Sequence, residues 1–132
     1  PYMQWRYVNH PDVDYRIYTA IIDEQPQGFA VAGSDKSGQM HLAEFNVSNN
    51  SVKTCKGLIR QILKDCAERD VHTLRAWALA GNREAQLLHS CGFLGRNALN
   101  FHVIRSFLSP ERNRNLFDPS RWYLSSGDSD CV

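Results

Sequence analysis

A change of hydrophobic period near residue 51 constrains the fold more than any other feature of the chain. Val52, Cys55, Ile59, Ile62, Leu63 and Cys66 recur at spacings of three and four, with Lys53, Lys56, Arg60, Lys64 and Glu68 between them. That pattern predicts an amphipathic helix with one buried stripe over residues 51–69, with Ser51 as its N-cap. Upstream, residues 15–47 contain runs rich in β-branched and aromatic side chains: Tyr15 to Ile22, Gly28 to Gly33 and Gln39 to Val47. The turn residues Asp23 to Gln27 and Ser34 to Gly38 separate them, so the segment reads as a three-strand antiparallel meander. Downstream, residues 71–79 read as a strand. A helix between two strands of one sheet makes them parallel and the crossover right-handed.

The rest of the chain follows from local signals. Residues 1–14 read as an irregular arm bearing the aromatic cluster Tyr2, Trp5 and Tyr7. Residues 82–91 read as a short helix closed by Gly92, which suits the left-handed position after a helix end. Residues 98–107 and 121–126 are further predicted strands. The expected fold is therefore α/β (α+β) in one domain: a mixed, mostly antiparallel sheet with one parallel β-α-β crossover.

Composition excludes several classes. The 132 residues are 42% hydrophobic and 22% charged, suiting one globular core. A formal charge of +1 gives no electrostatic footprint for nucleic acid, and no apolar run approaches the ~20 residues of a membrane span. Four cysteines without CxxC spacing indicate buried thiols in a reducing cytoplasm. Cys55 and Cys66, about 16 Å apart along one helix, cannot bond to each other. No metal-ligand constellation is expected. An opening Pro1 without a starting Met implies processing or derivation from a longer chain.

The order meander, crossover helix, strand, short helix, and the segment Asn82-Arg83-Glu84-Ala85 to Gly92-Phe93, resemble the GCN5-related N-acetyltransferase (GNAT) family and its N-x-x-A … GF signature. Trp5-Arg6-Tyr7, His10-Pro11 and the closing Trp122-Tyr123-Leu124 are similar to a bacterial subgroup, some of whose members are associated with surface polysaccharide. The resemblance implies transfer of an acyl group from acetyl-CoA, or another acyl-CoA, to the amine of a small molecule or peptide. The family's first strand and two helices have no counterpart here, which implies a carboxyl-terminal portion, completed by a preceding segment or by a homodimer partner.

The resemblance also implies a site. Main-chain groups of the third strand, at Phe45 and Val47, would hold the cofactor and polarise its thioester carbonyl. The family's pyrophosphate loop, R/Q-x-x-G-x-G/A, corresponds here to Ser51-Val52-Lys53-Thr54-Cys55-Lys56, without the arginine or the glycines. Three readings stand side by side. Lys53, Lys56 and the hydroxyls of Ser51 and Thr54, with Cys55 between them, hold a phosphate at the helix end; the site has decayed; or Ser51 caps a helix whose lysines are solvated. Glu44 is the candidate base, on a strand face shared with Leu42 and Asn46 if residues 41–47 alternate regularly. The acid falls on His89 counting from Asn82 and on Leu88 counting from Gly92; an imidazole can donate a proton near neutral pH, or His89 is a surface or capping histidine. Asn82 contacts the CoA arm or caps its helix. Asp128-Ser129-Asp130 is a metal-holding string or a terminal turn, and Arg105, Arg112, Arg114 and Arg121 form an anion cluster or a solvated loop.

Overall fold

The computed structural model describes residues 1–34 and 37–95. Among these residues four strands form one mixed sheet in the order β1 (Asp14–Ile22), β2 (Gln25–Ser34), β3 (Gln39–Val47) and β4 (Thr73–Ala76). The first three are antiparallel; β4 is parallel to β3, joined through helix α1 (Val52–Glu68). Helix α2 (Arg83–Ser90) follows β4 and packs on α1. This is the expected α+β arrangement. Residues 98–107 and 121–126, Asp128 to Asp130 and the four distal arginines lie outside the described residues.

The core lies between α1 and one sheet face. Ala30, Ala32, Met40, Leu42, Phe45 and Val47 from the sheet meet Cys55, Leu58, Ile59, Ile62 and Cys66 from α1, and Leu87 and Leu88 from α2. The buried stripe is rotated from the sequence reading: Val52 and Leu63 are 41% and 49% exposed, while Leu58 and Asp65 are buried. Period alone does not say where a stripe is centred; contact with Tyr18 and Ala20 of β1 does.

Asp65 is the charge inside this stripe, and it is fully partnered. Arg16 Nη1 donates to its Oδ1 at 2.5 Å, the Tyr18 hydroxyl donates to Oδ2 at 2.6 Å, and Arg69 lies one turn on at 3.7 Å. Arg69 also reaches Asp14 and Ser34, tying the end of α1 to the start of β1 and the end of β2. Beyond α1, Asp70 takes φ 56°, Asp70 N donates to Ala67 O, and Val71 N donates to Cys66 O. These are the paired bonds of a Schellman end. The same closure ends α2, with Gly92 at φ 93° and Phe93 N bonded to Leu88 O.

The opposite face carries a smaller core of Tyr7, Val31 and Ala43, joined by Met3, Tyr15 and Phe29. Here the arm departs from expectation. Gln4–Val8 is a π-helical turn, closed by Asn9 N to Gln4 O at 3.1 Å. Burying Tyr7 edge-on against Tyr15, with centroids 5.0 Å apart, gives this segment a reason to order that its local sequence does not supply. Gly33 allows that approach: a Cβ there would sit 2.4 Å from the Tyr15 ring.

Two boundaries and one register also differ. The β1–β2 turn is only Asp23-Glu24, both left-handed, and Gln25-Pro26-Gln27 belong to β2. Pro26 is tolerated because β2 pairs with β3 only from Gly28 onward. The strand expected over 71–79 spans only Thr73–Ala76. Finally, β3 has a bulge between its pairs Ala32↔Leu42 and Val31↔Glu44. The extra residue, Ala43, inverts the alternation, so Leu42 faces the helices whereas Glu44 faces the arm. The shared face expected for Leu42 and Glu44 is thereby corrected.

Candidate functional site

The parallel pair opens at one end. β3 and β4 are in register from Gln39↔Thr73 to Leu42↔Ala76, after which β4 leaves the ladder and β3 runs on to Val47. Both helices begin at this end, α1 after Val47 and α2 after Ala76, so two helix N-termini follow the carboxyl ends of neighbouring strands. In open α/β sheets such a crevice is where ligands bind. Phe45 and Val47 lie on the stretch of β3 past the last β4 partner, their side chains buried at 4% and 1% exposure under α1. Both side chains belong to the core.

The chain enters α1 through Ser48–Asn50, with Asn49 and Asn50 at φ 51° and 54°. Asparagine tolerates this left-handed region better than most residues. Ser51 caps the helix: its Oγ accepts from Thr54 N at 3.2 Å and from Thr54 Oγ1 at 2.9 Å, and its carbonyl accepts from Cys55 N. The capping expectation holds. Two of the first-turn amides and the buried Thr54 hydroxyl are thus engaged within the helix, and the Cys55 side chain is turned into the core. Lys53 and Lys56 are exposed. The amides of Val52 and Lys53 have no intrahelical acceptor, as at any helix start.

Asn82 caps α2, its Oδ1 accepting from Ala85 N at 2.9 Å, and it is 3% exposed. Glu44 lies across the sheet, where its Oε1 accepts from the Tyr7 hydroxyl at 2.7 Å and from the Tyr2 hydroxyl at 2.9 Å. Burial first, and then the bond to Glu44, push both phenols above their ordinary range, so each keeps its proton and donates it to the carboxylate. His89 is exposed in the last turn of α2, while Leu88, its alternative in sequence register, belongs to the core. Glu44 and His89 are therefore on opposite sides of the sheet.

Sequence reasoning missed the phenols on Glu44, because no local signal says where the arm docks. It also missed Asp65. That residue had a visible sign, since it follows Ile62 by three and Leu58 by seven, in phase with the buried face, and precedes Arg69 by four. Among the described residues no cluster of three or more His, Cys, Asp and Glu side chains is placed to hold a metal, and no helix is long and apolar enough to cross a membrane.

No protein-family model matches the chain, and no curated protein is recognisably similar to it.

Proposed function

We propose that the chain is a GNAT-like N-acyltransferase domain, or part of one, using acetyl-CoA or a related acyl-CoA with an amine acceptor. One observation carries the reading: a bulged third strand parts from its parallel neighbour after Leu42↔Ala76, and the capped start of α1 follows directly from its end. In this reading the acyl carbonyl sits in the gap against the main chain near Phe45 and Val47. The pyrophosphate meets Lys53, Lys56 and the first amides of α1, with left-handed Asn49 and Asn50 supplying the tight entry for which glycine is usual. Asn82 stays a helix cap beside the CoA arm.

The chemistry needs a proton taken from the attacking amine and one returned to the thiolate. Glu44 takes the first, directly or through water, approached from the arm side past the half-exposed Tyr2. His89 returns the second from the helix side. Calorimetric titration with acetyl-CoA is the test: saturable binding, weakened by joint Lys53→Ala and Lys56→Ala, is expected. No heat and no thermal shift at millimolar acetyl-CoA would sink the enzymatic reading. Glu44→Gln should slow turnover by roughly 100-fold or more with CoA affinity unchanged.

A second reading, a non-catalytic module that pairs with another chain, is favoured by β1. This strand, at the sheet edge among the described residues, exposes Ile17, Ile21 and Ile22 at 45%, 65% and 45%. Exposed apolar edges pair readily, so sedimentation of a strict monomer at all concentrations would count against it.

A further inference from the structure

We propose that Cys55 and Cys91 are a dithiol pair that closes into a disulfide, stapling the first turn of α1 to the C-cap of α2. Their sulfurs are 2.9 Å apart, although 36 positions separate them in sequence. That is roughly 0.9 Å beyond the length of an S–S bond, so the two sulfurs are already in contact. Both residues stand on rigid supports: Cys55 N is held by the Ser51 carbonyl, and Cys91 N donates to the carbonyls of Leu87 and Leu88. Cys66, on the same face of α1 as Cys55, is three turns away and serves as the internal control.

The two thiols are not equivalent. Cys55 is fully buried, whereas Cys91 is partly exposed and lines a groove of about 240 Å³ with Lys56, Ile59, Arg60, Leu63 and Ser90. Burial, and then the neighbouring Cys91, raise the Cys55 thiol, which makes Cys91 the thiol that reacts first. Lys56 and Arg60 favour an anionic reagent, and the oxidant is a small disulfide bearing carboxylates, of the glutathione class. The Cys91 thiolate attacks one sulfur of that disulfide, forming a mixed disulfide and expelling one thiolate, which takes up the Cys91 proton. Cys55, losing its proton, then attacks the Cys91 sulfur and expels the second thiol. Two protein thiols are oxidised by two electrons, and one small disulfide is reduced to two thiols.

This inference is independent of the acyl-transfer reading. Its test uses the full chain, equilibrated with reduced or oxidised glutathione, acid-quenched and digested with trypsin without reduction. Residues 54–56 should appear linked to residues 84–96, and the oxidised protein should melt roughly 10 °C above the reduced one. Cys91→Ser should remove that rise and Cys66→Ser should preserve it. The proposal is overturned if Cys55 and Cys91 both remain alkylatable after oxidation, if the link maps to Cys66 or Cys131, or if a glutathione adduct persists on Cys91 without closure.

Discussion

Tyr7→Phe isolates the bond that joins the amino-terminal arm to the sheet at Glu44. The ring is 2% exposed and stays in place, so the change removes only a hydroxyl donating at 2.7 Å to a carboxylate. A hydrogen bond to a charged group contributes about 1.5–3 kcal/mol. Glu44 keeps the Tyr2 phenol and is half-buried, so water compensates in part, and the low end, about 1.5 kcal/mol, is expected. Tyr7→Ala, which also empties the space against Val31 and Ala43, should cost about 3–5 kcal/mol. Urea unfolding monitored by far-ultraviolet circular dichroism measures both, and a double-mutant cycle with Glu44→Ala should give a coupling of about 1 kcal/mol. The pH dependence has a definite sign. The phenol is raised in the folded state, so its contribution is complete below the unfolded tyrosine value near 10 and is lost as pH rises above it. Wild-type stability should therefore fall above about pH 10, and more steeply than that of Tyr7→Phe. A Tyr7→Phe protein within 0.3 kcal/mol of wild type, or strict additivity with Glu44→Ala, would refute the docking of the arm through this bond.

Two further substitutions probe the frame around the site. Asp65→Ala removes the acceptor shared by Arg16, Tyr18 and Arg69; because Arg16 is half exposed and rehydrates, the expected loss is about 3 kcal/mol rather than the full cost of breaking a buried pair, measured as a fall in urea midpoint. Asp70→Gly relieves a left-handed non-glycine residue at the end of α1 and should stabilise by about 0.5–1 kcal/mol, read as a higher melting temperature.

The elements whose residues answer to their immediate neighbours were legible from sequence. Ser51 and Asn82 cap their helices because a side-chain oxygen satisfies amides three residues away, and Gly92 ends α2 because it takes φ 93° without a Cβ clash. The crossover followed from period and order. The candidate site was less legible, because its geometry depends on a single extra residue. Ala43 shifts the parity of β3, and neither Phe45 nor Glu44 carries any local sign of that change. The shortness of β4 is likewise set by where it leaves the ladder, since β3 runs on to Val47 after the last pair Leu42↔Ala76.

By itself, then, the amino-acid order determined a meander leading into a two-faced helix and a parallel return, since strand and helix period, caps and turn chemistry act within a few residues. Only tertiary packing decided that the arm coils over Tyr7, that Glu44 lies beneath two phenols, that Asp65 sits partnered under the helix and that Cys55 meets Cys91. Each of these joins positions 36 to 49 residues apart. Such contacts exist only after the chain has closed on itself, because their energy comes from desolvation and geometry shared between elements and not from either segment alone.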